Sequence, residues 1–327
     1  MIVTRTPLRV PLGGGGTDIQ SYYSKYGGLL ISAAINKYVY ITLNKPFINE
    51  FIIKYSKTEN VNNVDEIEHS RIREAIRLLA IEPGLEIVSI ADIPANTGLG
   101  NSSSFMVGLL NALHALNRNH ISAYTLAEEA CKIEIDILRE PIGKQDQYIA
   151  AIGGVTCLDI DKQGQVSATP LRISDDIIAQ LESNILLFYT GIKRSASEVL
   201  TEQNKATERD EKQVVTALHT IKEIGKEINA ALVGGDLRHF GELMDAHWEI
   251  KKTLSDKITF SQIDKWYNIA KNNGALGGKI MGAGGGGFFM FYCEDGKNNL
   301  RETLTAEGLQ ELRFRFDFEG SKVAVNF

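Results

Sequence analysis

The sequence predicts an α+β fold, and three observations carry that prediction. Segments rich in β-branched and aromatic residues occur toward both ends, amphipathic helical periodicity fills long stretches between them, and glycine clusters punctuate the chain at three places. In order, IVTRTPLRV (2–10), YVYITL (38–43), FIIKY (51–55) and LEIVSI (85–90) read as strands, and EIEHSRIREAIRLLA (66–80) as an amphipathic helix. FMVGLLNALHAL (105–116) and AYTLAEEACKIEIDIL (123–138) follow as helices; the second should stop near Pro141, because the residue before a proline is pushed out of helical geometry. The polar stretch DKQGQVSATPLRISDD (161–176) marks a domain boundary, giving an N-terminal domain over 1–170 and a C-terminal domain over 171–327. Beyond it NILLFY (184–189) restarts a strand and helical periodicity occupies most of 195–272. FFMFYC (288–293), ELRFRF (311–316) and KVAVNF (322–327) complete the pattern as strands.

Composition removes several classes of function. At 327 residues and 43% hydrophobic, the chain is long enough for two domains and too apolar to remain disordered. A net charge of -6 with interspersed signs makes no basic stripe, so neither a nucleic-acid partner nor an anionic membrane surface is expected. MIVTRTPLRV carries no signal-peptide pattern, and no apolar run reaches membrane-spanning length. With Cys131, Cys157 and Cys293 scattered and without metal spacing, a reduced, cytoplasmic protein is expected. The histidines form no metal-binding pair and read as packing or surface residues.

The chemistry concentrates at glycine. PANTGLGNSSS (94–104) opens directly into the apolar helix at 105, so Gly98 and Gly100 let backbone approach a ligand while Ser102 to Ser104 add hydroxyl donors at a helix start. A phosphate suits that combination; the plainer reading makes Ser102 or Ser103 an ordinary N-cap. Further clusters lie at Gly13 to Gly16 in RVPLGGGGTDI and at Gly282 to Gly287 in KIMGAGGGGFFMFY. No Walker A loop, Rossmann fingerprint or protein-kinase D-F-G accounts for the three together.

In order and spacing, residues 5–18, 94–104 and 279–287 resemble the three motifs of the GHMP kinase superfamily, which includes galactokinase, homoserine kinase, mevalonate kinase and phosphomevalonate kinase. Asn101 stands where the central motif usually has serine, which keeps the backbone donor. The resemblance implies the GHMP kinase fold, a ribosomal S5 domain 2-like N-terminal domain joined to a ferredoxin-like C-terminal domain. It also implies ATP held along Pro94, Gly98, Leu99, Gly100, Asn101, Ser102, Ser103 and Ser104, with magnesium bound by Ser102 and Glu134. Asp146, in GKQDQY at a helix start, corresponds to the acidic residue beside the acceptor hydroxyl, a general base, and Arg9 to the basic residue that balances transition-state charge.

Around the acceptor the resemblance places Arg5, Gly15, Gly16, Thr17 and Asp18 from the first motif, with Asp18 bonding sugar hydroxyls. Lys144, Gln145, Lys193, Arg194, Gly284 and Gly285 come from the later segments. Without the family, Glu134 reads as a solvated helix carboxylate, Asp146 as a helix-dipole residue, and Lys193 and Arg194 as charges after a strand. Asp136 competes with Glu134, but residues two apart on a helix point in nearly opposite directions, and the family spacing selects Glu134.

TPLRVPLGGGGTDI, REPIGKQDQYIAAIGG and YTGIKRSASEVL resemble the heptose kinase branch, which phosphorylates the anomeric hydroxyl of D-glycero-D-manno-heptose 7-phosphate and feeds surface polysaccharide synthesis. The same branch includes 1-kinases for fucose and related sugars. The expected partner is therefore a small-molecule sugar phosphate, with Lys144, Lys193 and Arg194 as candidates for its phosphate, and a homodimer is left open. A mevalonate-type kinase and a nucleotide-binding pseudokinase stand as the alternatives.

Overall fold

The computed structural model describes residues 1–192 and 196–327, so Lys193 and Arg194, expected near the acceptor, lie outside the described residues. The first half of the chain comprises β1 (Ile2–Gly13), α1 (Gln20–Tyr26), β2 (Gly28–Asn44), β3 (Phe51–Lys54), β4 (Thr58–Val61), α2 (Ser70–Leu78) and β5 (Leu85–Ala91). It continues through α3 (Asn101–Leu116), α4 (Ala123–Cys131), α5 (Gln145–Ile152), β6 (Val155–Ile160) and β7 (Val166–Pro170). The second half contains α6 (Asp175–Asn184), β8 (Ile185–Tyr189), α7 (Ala196–Glu208), α8 (Lys212–Gly234), α9 (Leu237–Lys252) and α10 (Ser261–Asn272). It closes with β9 (Gly277–Ile280), β10 (Phe288–Tyr292), α11 (Lys297–Ala306), β11 (Gln310–Leu312) and β12 (Lys322–Asn326).

The long strand β2 organises the first sheet, whose main order is β12-β1-β2-β5-β3-β4. Beside β1 it pairs through residues 28–33 with β6 and through residues 39–44 with β5. One strand thus serves two sheet sections, and the apolar run from Leu30 to Ile35 is buried between β1 and the covering helices. Within β1, Pro7 and Pro11 coincide with irregularities in the β2 register. Proline has no N–H for the ladder and is confined to such places. The chain's last strand, β12, returns to pair antiparallel with β1.

The second sheet is antiparallel in the order β11-β8-β10-β9. Numbered within this half, that is the 4-1-3-2 order of a ferredoxin-like unit, with α8 and α9 in the first crossover and α11 in the second. The fold is therefore the expected α+β one. A buried cluster runs from the first sheet through α3 and α5 into Leu187, Ile228 and Phe240, so the halves share part of their core.

Several local expectations are corrected. The polar stretch 161–176 contains β7, an edge strand paired only with β6, where polar residues are tolerated because one edge meets solvent. ELRFRF is a strand only to Leu312; Phe316 forms an isolated bridge to Ile35. The helix preceding Pro141 leaves α geometry early, passing into a π-helical turn over Lys132–Ile137.

Candidate active site

The glycine loop after β5 delivers a helix end with no side-chain cap. Gly98 and Gly100 both have positive φ, and Gly100, in the left-handed region, is the residue that precedes α3. The N-cap is therefore glycine and not Ser102 or Ser103, so both hydroxyls fall inside the first turn. The unpaired N–H groups of that turn, with the positive end of the helix dipole, open onto a cleft of about 590 Å³ lined by Gly98, Gly100, Asn101, Ser102 and Ser103. The remaining loop residues build the wall. Ser104 Oγ donates to the Pro7 carbonyl at 2.8 Å, buried Leu99 accepts from the Arg9 backbone N–H at 3.0 Å, and the Pro94 carbonyl accepts from Thr97 Oγ1 at 3.0 Å.

Beneath this loop β1 and α5 bring Arg9 and Asp146 together, 137 residues apart in sequence. The Arg9 guanidinium makes a paired contact, Nε to Oδ1 at 2.7 Å and Nη2 to Oδ2 at 2.8 Å, while Nη1 donates to the Gly98 carbonyl at 2.6 Å. Arg9 is nearly sealed, at 6% side-chain exposure, whereas Asp146 keeps 25% and reaches the cleft. Asp146 lies in the first turn of α5, as the sequence predicted. Asp18 ties this region together: its carboxylate accepts from the N–H groups of Gly16 at 3.2 Å and Gln145 at 3.1 Å. Burial pushes the Asp18 carboxyl above its usual range, against those backbone donors. Gly15, Gly16 and Gln145 line the cleft beside it. Thr17 is fully buried and donates to the carbonyls of Gly14 and Leu29, so it holds the turn.

Glu134 points inward from the π-helical turn and Asp136 outward into solvent. The Glu134 carboxylate is completely buried and accepts from Arg71 Nε at 2.9 Å and from Gln147 Nε2 at 2.7 Å, with Ser103 as a further partner. Burial raises its pKa while Arg71, Ser103 and Gln147 oppose the shift. Arg71 also binds Glu140. The donor set at this wall suits a hard cation in type, since Ser102 offers a hydroxyl on the cleft and Glu134 a carboxylate behind it. Arg71 already supplies positive charge there. Among the described residues, no group of three or more acidic, histidine or cysteine side chains could hold a metal without ligand oxygens.

The second half of the chain supplies the facing wall through His247, Lys251, Leu254, Lys279, Gly282 and Ala283. Its glycine cluster mainly packs, with Gly282 both packed and on the cleft wall. A Cβ at Gly282 would lie 2.9 Å from Gly98 Cα, and one at Gly287 2.3 Å from the Thr97 carbonyl oxygen. Gly284 and Gly285 sit on Ile258, the Gly285 N–H donating to its carbonyl at 2.8 Å.

Two expected acceptor residues turn elsewhere. Arg5 lies over the Tyr38 ring, 4.4 Å from its centroid, and pairs with Glu319 and Asp317. Lys144 Nζ donates to the Gly164 carbonyl at 2.7 Å, with Glu128 at 3.5 Å. Several cleft residues escaped the sequence reading: Arg71, His247, Lys251, and the aromatic group Tyr55, His69 and Phe105, whose rings lie 4.8 and 5.1 Å apart in succession; so did Gln147, buried behind the wall on Glu134. Only His247 and Lys251 carried a usable signal, a four-residue helical spacing that puts both on one face.

Residues 68–154 match the GHMP kinases N terminal domain, and residues 228–309 match the GHMP kinases C terminal. The D-glycero-alpha-D-manno-heptose 7-phosphate kinase of Campylobacter jejuni is 31% identical over 335 residues, covering 98% of this chain and 98% of that relative. A crystal structure of a D-glycero-D-manno-heptose 1-phosphate kinase from Bacteroides thetaiotaomicron has a TM-score of 0.83 at 27% identity, over 100% of both chains. Lactococcus lactis galactokinase complexed with galactose has a TM-score of 0.79 at 18% identity, over 98% of this chain and 94% of that one, a likeness of fold.

Proposed function

The chain belongs to the GHMP kinases and is a small-molecule sugar kinase of that family; from that premise we propose that it phosphorylates the anomeric hydroxyl of D-glycero-D-manno-heptose 7-phosphate, giving the 1,7-bisphosphate. The observation that carries this reading is the Arg9–Asp146 pair below the mouth of the glycine loop. ATP supplies the transferred phosphoryl group, and magnesium offsets the charge on its phosphates. The N–H groups of the first turn of α3, with Gly98, Gly100, Asn101, Ser102 and Ser103, would hold those phosphates. Ser102 and Glu134 would hold magnesium, sharing the position with Arg71. The rings of Tyr55, His69 and Phe105 offer an apolar surface for the nucleobase.

Asp146 accepts the proton of the acceptor hydroxyl at the face that Arg9 leaves free. Arg9 fixes the orientation of that carboxylate and remains charged beside the reacting oxygens. Asp18 holds the Gly16 turn against α5, so the acceptor side of the cleft is set relative to Asp146. No helix among the described residues is long and apolar enough to cross a membrane.

A coupled ADP-release assay tests this reading with heptose 7-phosphate, free heptose, fucose, galactose, mannose and mevalonate. Phosphorus NMR then locates the new ester. Heptose 7-phosphate should give the highest kcat/KM and an anomeric phosphate. Preference for a free hexose or for mevalonate would replace the acceptor, and no ADP release with any of them would favour a pseudokinase.

A further inference from the structure

Three basic side chains from the second half of the chain meet on the cleft wall opposite Arg9. His247 and Lys251 lie one turn apart on α9, and Lys279 is on β9. His247 and Lys279 are 2% and 1% exposed. Lys251 Nζ donates to the carbonyls of Ile280 at 2.9 Å and Gly282 at 2.6 Å, and Lys279 Nζ to that of Leu12 at 3.2 Å. Among the described residues, neither ring nitrogen of His247 has a hydrogen-bond partner.

Among the described residues, none of the three makes an ion pair; the charges that bear on them are one another and Arg9. Asp146, a carboxylate lining the same cleft, is taken by Arg9. Burial, with Arg9, pushes the Lys251 ammonium down to about 7, and burial likewise holds Lys279 and His247 well below their ordinary values.

A surplus of basic groups around a cleft, without counterions from the chain itself, favours an incoming anion. Donor capacity points the same way. An ammonium has three N–H donors, so Lys251 retains one and Lys279 two after their carbonyl bonds, and the His247 imidazole is unspent. The position is specific as well, because Gly282, which accepts from Lys251, packs against Gly98 of the loop at α3.

We propose that His247, Lys251 and Lys279 form a buried site for a phosphoryl anion, closing the cleft opposite Arg9. The inference rests on the kinase reading for the source of that anion: the phosphate already on the sugar or the terminal phosphate of the nucleotide. The chemistry of recognition is the same for both.

Titration calorimetry on the full chain separates the sources. Lys251→Met and His247→Gln are each compared with wild type, using heptose 7-phosphate against free heptose, and magnesium AMP-PNP against magnesium ADP. In Lys251→Met, the member of one pair that carries the extra phosphate should bind ~10- to 100-fold more weakly, and its counterpart as in wild type. Loss confined to heptose 7-phosphate assigns the site to the acceptor, and loss confined to AMP-PNP assigns it to the nucleotide. If wild type binds heptose 7-phosphate no better than heptose while AMP-PNP still loses affinity, the acceptor reading fails and the anion site stands.

Wild-type affinities in both variants, or equal losses within both pairs, would overturn the proposal. Near pH 8, wild type should also take up a proton with the anion, read from the dependence of the heat on buffer ionisation. The charged and titratable groups that bear on Lys251 are Arg9, His247 and Lys279, and Lys251→Met should reduce that uptake while thermal melting shows the variant folded.

Discussion

The two walls of the cleft treat buried charge in opposite ways. On the wall from the first half, cations have carboxylates: Arg9 with Asp146, and Arg71 with Glu134 and Glu140. On the wall from the second half, among the described residues, Lys251 and Lys279 donate to carbonyl oxygens alone and the His247 ring has no hydrogen-bond partner. Paired groups hold each other in one geometry before any ligand arrives; unpaired ones stay in a costly state that a ligand can relieve. The glycine loops divide in the same manner. The loop before α3 uses glycine to present backbone donors, and Gly282 to Gly287 uses it so that one backbone can lie against another.

The largest effect should come from the paired wall. Asp146→Asn should lower kcat by roughly 10²-fold or more while magnesium AMP-PNP binding stays near wild type, measured by steady-state kinetics and calorimetry. Wild-type turnover would reduce the Arg9–Asp146 pair to a structural clamp. Next, the packing role of the second glycine loop predicts that Gly287→Ala is destabilised by roughly 2 kcal/mol or more. Its φ is 83° and its Cβ would lie 2.3 Å from the Thr97 oxygen. Chemical denaturation gives that number, and wild-type stability would mean that the two loops have slack.

A smaller effect separates two roles for Glu134. Glu134→Gln should raise the magnesium requirement several-fold if the carboxylate reaches the metal. An unchanged magnesium titration with a lowered melting temperature would make it Arg71's partner alone. A pH slope is expected from the unpaired wall. Lys251 has its pKa lowered from 10.5 to about 7 in the folded protein. The unfolded chain therefore binds more protons between those values, and stability rises with pH across that window. The cost is fully present below about 7. Lys251→Met should accordingly melt higher than wild type near pH 7, by an amount that shrinks toward pH 10; a constant difference would contradict a buried, unpaired ammonium.

Much of this molecule could be read from one dimension. The order of GGGGTD, PANTGLGNSSS and KIMGAGGGG pointed to a superfamily and through it to the fold, and the short segment before α5 put Asp146 in a first helical turn, because these are features of local sequence. Period said that only one of Glu134 and Asp136 faces inward, since that depends only on neighbours along one helix, and the family spacing selected Glu134. The polar stretch 161–176, which marks the expected domain boundary, also holds β7, because an edge strand needs little apolar patterning.

What the sequence by itself determined, then, was the class of fold, the glycine-rich loops and the types of residue that stand in them. Only the tertiary structure decided which charges are spent and which are free. Arg5 and Lys144 carried the same formal promise as Lys251, yet chain segments far away in sequence supplied Glu319 to the first and the Gly164 carbonyl to the second. Glu134 acquired Arg71 from 63 residues away, and Lys251 acquired no acid among the described residues. Charge pairing acts over a few ångströms in a desolvated interior, and that distance is set by how the two sheets and their helices close on one another rather than by spacing along the chain.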